Sequence, residues 1–176
     1  MKKFELTSEF VTFLGKKLFR IKALVSFGDV KEGELGGLVE KEENLDQSGD
    51  AWVYGNARIS GDARVSGDAQ VSGNARVSGD ARVSGNARVS GDARVSGDAW
   101  VQNCRDYSAT SCFGSENRTT TFFRTKDGGI SVRCGCFYGT LNEFREKVKE
   151  RHGDSRLAKE YLMLADLMEF RLSKDE

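Results

Sequence analysis

Between Ala51 and Cys104 the chain repeats one six-residue phrase, most plainly in VSGNARVSGDARVSGDAW, residues 83–100. Val or Ile falls at 53, 59, 65, 71, 77, 83, 89, 95 and 101, and an Ala stands two residues before each. A small and a branched side chain therefore alternate with Arg and Ser, which is the period of a strand. Because six is even, each hexad returns its Ala and Val to the same inner side. Gly followed by Asp or Asn supplies residues that tolerate left-handed corner geometry. The phrase predicts strands of about four residues joined by corners. A unit this short buries its apolar side only by stacking on copies of itself, so the array predicts a solenoid.

The hexads of residues 51–104 resemble those of the hexapeptide-repeat proteins, whose left-handed parallel β-helix winds three hexads into a triangular coil. That resemblance implies about three coils. A right-handed β-helix, with longer and less regular coils, is the alternative. With three hexads to a coil, the outward columns read Trp52, Gln70, Arg88; then Arg58, Arg76, Arg94; then Arg64, Arg82, Trp100. Like charges one strand spacing apart, about 4.8 Å, repel unless corner carboxylates such as Asp62, Asp80 and Asp98 screen them or anions occupy the face. One reading is a solvated, self-screened surface. The other is a site for a phosphate-bearing ligand, with Arg as the forked donor.

Net charge offers no global field for nucleic acid or an anionic membrane, since 27 basic residues balance 27 acidic ones. The array is near balance as well, with six Arg and five Asp. No apolar run is long enough to span a bilayer, and Met-Lys-Lys leads into mixed polar sequence, so a cytoplasmic protein is expected. Four cysteines, at 104, 112, 134 and 136, then read as reduced and structural. Zinc ligation is the alternative; it needs Cys104 or Cys112 beside Cys134 and Cys136 and lacks the usual knuckle spacing. In GISVRCGCF the alternation puts both later sulfurs on the side of Ile130 and Val132.

Before the array, FEL, EFVTFLG and LFRIKALVSF read as short strands, with a turn at Gly15–Lys16. The glycine-rich, acidic stretch that follows leads into the first hexad, and residues 1–50 are read as a β cap over the raw solenoid edge. After the array, a hairpin turns at Lys126–Gly129. Thr140 and Glu143 form a Thr-x-x-Glu capping box for a helix that ends at Gly153, and a second helix spans about Ser155 to Leu172. The expected fold class is mainly β: a left-handed parallel β-helix (51–104), an N-terminal β cap (1–50) and a small C-terminal α+β domain of a β-hairpin plus two helices (105–176).

LFRIKALVSFGDVKEGELGGLVEKEENL before the array and GSENRTTTFFRTKDGGISVRCGCFYGTLNEF after it resemble a family of bacteriophage- and prophage-encoded proteins. The resemblance implies a viral or prophage origin and a three-part architecture, and it supplies no catalytic residue. Many relatives carry Tyr after the aliphatic position, as Tyr54 does here, where this array mostly has Ser.

Three functions follow. The hexapeptide likeness suggests an acyltransferase, which needs a general base beside a solenoid face; the single His152 sits instead at a helix end. A non-catalytic binder of a small anionic, nucleotide-like ligand is favoured, with no cofactor and no metal, and with the ligand possible as an immune signal of host defence. Its residues are Arg118, Thr120, Phe122 and Arg124, which share one side by alternation, with Arg133 on the partner strand. Arg64, Arg82 and Trp100 form the fallback site. A structural rod or spacer is the third reading. A homo-oligomer is expected, and neither long nucleic acid nor a membrane is expected as partner.

Overall fold

The computed structural model describes residues 2–173. Strands β1 (Phe4–Phe13) and β2 (Lys16–Ala23) pair antiparallel. The runs FEL and EFVTFLG are thus one strand, with a register shift between Leu6 and Phe10. The turn falls on Leu14–Gly15, one residue earlier than the sequence suggests, with φ of 50° and 78°. Strand β3 (Leu35–Val39) continues the sheet antiparallel to β2 and then stacks parallel on the first Arg-bearing hexad, Leu38 beside Arg58 and Val39 beside Ile59. Its two glycines allow that approach: a Cβ on Gly36 would lie 2.6 Å from Ile21 Cγ1 and from the Val53 carbonyl oxygen.

The hexads wind into a β-solenoid with three faces. Strands β4 (Trp52–Val53), β7 (Gln70–Val71) and β10 (Arg88–Val89) form one; β5 (Arg58–Ile59), β8 (Arg76–Val77) and β11 (Arg94–Val95) form the second. The third consists of β6 (Arg64–Val65), β9 (Arg82–Val83) and β12 (Trp100–Val101). These are the columns that three hexads per coil require. With β3 and the Leu45–Val65 bridge stacked beneath, the solenoid has about four coils rather than about three. The ladder pairs only two residues per strand, because Ser, Gly and Asp or Asn of each hexad go to the corner. Gly73 shows why: its φ is +68°, and a Cβ there would come within 3.0 Å of the Gly91 backbone one coil on. Each array Val or Ile and each Ala is at most 1% exposed. Burying one Val contributes roughly 1.5–3 kcal/mol.

Trp52 keeps its register beside Gln70 but is not solvent-facing. The N-terminal cap covers it completely, with Phe4 and Phe27 edge-on at 6.2 and 5.4 Å. Lys3, also buried, donates to the carbonyl oxygens of Ser48, Gly49 and Ala51. Buried Asn44 donates to the Gly61 and Ala63 carbonyls, so the cap satisfies backbone acceptors at the solenoid edge.

Glu40 ties the hairpin to the same end. Its carboxylate accepts from the Gly61 amide at 2.6 Å and from Lys16 Nζ at 2.9 Å, which hold its pKa below the usual glutamate value. A folded-state pKa lowered in this way adds stability above the unfolded value that is lost as pH falls through the folded one. Glu40→Gln should therefore cost about 1 kcal/mol at pH 7, given the exposure of Lys16, and the gap to the unsubstituted chain should close toward pH 3. Urea titrations at the two pH values check this.

The C-terminal unit has a four-stranded antiparallel sheet: β13 (Tyr107–Phe113), β14 (Arg118–Arg124), β15 (Ile130–Cys134) and β16 (Phe137–Thr140). The expected hairpin is its centre, extended by a strand on each side. Helices α1 (Leu141–His152) and α2 (Arg156–Leu172) follow, α1 with the Thr140–Glu143 capping box and a Gly153 stop at φ 55°. β14 faces two cores: Phe122 packs with the helices, whereas Phe123 joins the solenoid core. Thr121 accepts from the Arg94 amide, and Ala99 bridges to Thr125, so this sheet closes the downstream edge.

Candidate anion site

On the β5–β8–β11 face, Arg58, Arg76 and Arg94 stand one above another in ladder register. All three are half-buried, whereas Arg64, Arg82 and Arg88 on the other faces are exposed. The difference comes from the two ends of the chain. Phe13, at the tip of the β1–β2 hairpin, lies over both Arg58 and Arg76, with each guanidinium 4.6 Å from the ring centroid. From the other end, Gly135 in the β15–β16 turn accepts from Arg94 Nη1 at 3.4 Å.

Two hollows share this arginine column. One, about 390 Å³, is bounded also by Asn56, Asn74, Asp92 and Arg118; the other, about 310 Å³, by Phe13, Lys16, Ser96 and Arg133. Six basic side chains thus face one carboxylate, Asp92, which already accepts from Asn74. Among the described residues none of the three column arginines forms an ion pair. Burial, then Arg94 and Arg58, pull the Arg76 pKa below its ordinary value. Adjacent guanidinium groups one strand spacing apart repel by about 3 kcal/mol at an effective dielectric near 20, and less where water reaches them. An oxyanion between them converts that repulsion into charge-assisted hydrogen bonds. The buried Ser96 hydroxyl, which has no hydrogen-bond partner among the described residues, belongs to a residue that lines the second hollow.

The residues singled out on β14 and β15 do not converge. Arg118, Thr120, Phe122 and Arg124 alternate onto one side, but the helices cover its middle: Thr120 and Phe122 are fully buried, and Thr120 Oγ1 contacts Cys134 Sγ. Arg124 spends its donors inside the chain, on Asp106 Oδ1 and the carbonyls of Leu172 and Ser173. Arg133 pairs with Thr121 and so lies on the opposite side, 5.8 Å from the Tyr138 ring. Arg118 and Arg133 reach different hollows of the column. Arg64, Arg82 and Trp100 do stack as a column, beside a hollow of about 630 Å³. Glu42, Glu43 and Asp46 line it too, which makes it the poorer place for an anion.

Five overlapping stretches, residues 51–67, 57–73, 69–85, 81–97 and 87–103, match one repeat family. The array is similar to the YdcK β-solenoid repeat. That match covers the same coils that carry the arginine column and stops short of the two caps that bury it. No curated protein matches the chain.

The remaining candidates take their places around this frame. His152 stacks on Tyr161 at 5.7 Å and lines neither hollow of the column. All four cysteines are free thiols; Cys134 packs against the helical core, but Cys136 lies in the turn beyond β15 and is exposed, against the alternation expected for it. Among the described residues no helix is long and apolar enough to cross a membrane.

Proposed function

We propose that the protein is a non-catalytic binder that holds a small phosphate-bearing anion on the Arg58–Arg76–Arg94 column. One observation carries this: Arg58, Arg76 and Arg94 form the only half-buried column of arginines among the described coils, and none of the three has a carboxylate partner there. Three forked donors in register suit the several oxygens of a phosphate chain better than a single point charge does. The sequence resemblance of both caps to phage- and prophage-encoded proteins supports a setting for such a binder. A phage product of this kind, acting as a homo-oligomer in the host cytoplasm, sequesters an anionic nucleotide signal of host defence.

Titration calorimetry with inorganic pyrophosphate tests the binding step. Arg76→Ser should weaken binding roughly ten- to a hundredfold, the equivalent of one lost charge-assisted hydrogen bond. Arg82→Ser, on another face, should leave it unchanged. Equal affinity in all three proteins moves the site away from the column, and no heat with any of them leaves a structural rod as the better account.

A further inference from the structure

Behind the arginine column lies a third hollow, of about 220 Å³, set between β16, α1 and the start of β14. Its chemistry is unlike that of the column. Phe137, Phe144, Val148 and Tyr161 supply apolar lining, and Arg118, Lys147 and Arg151 outnumber the one carboxylate there, Glu116. The rings are fixed by one another: Phe144 packs against Phe137 at 5.6 Å and against Tyr161 at 5.8 Å. The Tyr161 hydroxyl is held by the Ser115 amide, so the lining is preformed.

The aromatic hollow and the column are neighbours. Arg118 and Gly135 line both. Gly135 stands where the two meet, and Arg94 donates to its carbonyl. A Cβ at Gly135 would stand 3.3 Å from Arg118 Nη1. Arg118 itself is exposed, and among the described residues its one ion pair, with Glu116 at 3.6 Å, is long and solvated, which leaves its guanidinium able to serve a ligand on either side.

We infer that the aromatic hollow and the arginine column are two halves of one site, which takes an aryl or heteroaryl phosphate with its ring in the hollow and its phosphates on the column. This deepens the reading above and rests on it. A hollow of 220 Å³ is smaller than the roughly 300–1,000 Å³ that encloses a whole drug-sized ligand, and so it suits one ring system. Aromatic walls accept a flat ring by stacking or edge contact, while the neighbouring guanidinium groups select for a negative charge next to it. A simple oxyanion uses only the column.

Cys136 reports on the hollow without any substitution in it. It is exposed and lines the hollow, whereas the equally exposed Cys104 and Cys112 lie outside the hollow and serve as internal standards. The rate of carboxamidomethylation by iodoacetamide is followed at each cysteine by peptide mass spectrometry, with 1-naphthyl phosphate, adenosine diphosphate or pyrophosphate at about ten times its Kd. At least one ring-bearing phosphate should slow Cys136 about tenfold, the fraction of sites left free. Pyrophosphate should not slow it, and Cys104 and Cys112 should react at their usual rates throughout. In Arg76→Ser the same ligand concentration should protect far less. If the ring-bearing phosphates bind through Arg76 yet leave Cys136 unprotected, the hollow is not part of the site and the column reading stands alone. Protection that survives Arg76→Ser separates hollow from column and overturns the joint site. Absence of heat with pyrophosphate and both ring-bearing ligands removes the column reading, and this inference with it.

Discussion

Val77→Asp should abolish cooperative unfolding of the solenoid, whereas Arg76→Ser, its immediate neighbour, should leave the melt within a few degrees of the unsubstituted chain. Val77 is fully buried and sits between Ile59 and Val95 in the stacked ladder. Replacing it forfeits roughly 1.5–3 kcal/mol of apolar burial and adds the cost of a carboxyl group with no partner in the core. Together these approach the roughly 5–15 kcal/mol by which a domain is stable. In a solenoid the damage also spreads, because each coil is held mainly by the two beside it. Arg76 points outward from the same strand, and its loss removes a repulsive neighbour. Circular dichroism melts distinguish the two variants; identical curves would show that the inside and outside of the hexad are wrongly assigned.

Arg124→Ala carries the second large effect, and it is one of folding. The guanidinium joins three parts of the chain: Nη1 to Asp106 at 3.0 Å, Nε to the Leu172 carbonyl at 2.7 Å and Nη2 to the Ser173 carbonyl at 2.9 Å. Asp106 is only 4% exposed and also accepts from the Gln102 and Asn103 amides, where the chain leaves the last coil. Removing the cation leaves that carboxylate buried without its counter-charge, which costs about 3–5 kcal/mol. For a chain of this length the midpoint of thermal unfolding should fall by roughly 6–20 °C. Arg124→Lys should recover only part of the loss, because one ammonium cannot reach three acceptors that lie in different directions. A full recovery by Lys, or a melt unchanged in Arg124→Ala, would contradict the clamp.

The solenoid was legible because every hexad repeats its own evidence. Ala and Val recur with an even period, so their shared burial, the stacking order and the grouping of Arg58 with Arg76 and Arg94 all follow from counting. The first coil was harder to see. Val39 and Leu45 line it without the Ala-x-Val phrase, and its backbone is set by Gly36 and Gly37 packed against Ile21, Val53 and Ala57.

The site was only half legible for a related reason. Sequence period places three arginines in a column, but it assigns the same exposure to all three columns. Which column becomes half-buried depends on where Phe13 and Gly135 arrive, and those residues come from opposite ends of the chain. On β14 the alternation itself was sound, yet alternation does not say what covers a face. Helices α1 and α2 cover the side of Thr120 and Phe122, and the C-terminal carbonyls claim Arg124. The one signal available was the strength of the apolar stripe on α2, which needs a sheet face to pack on.

The most direct test of the central claim is a crystal structure of the protein soaked in tungstate, a tetrahedral oxyanion that stands in for phosphate and is located by its anomalous signal. The arginine column predicts a peak within hydrogen-bonding reach of at least two of Arg58, Arg76 and Arg94, lost in crystals of Arg76→Ser. A peak beside Arg64, Arg82 and Trp100 instead, or one on the column that persists in Arg76→Ser, would contradict it.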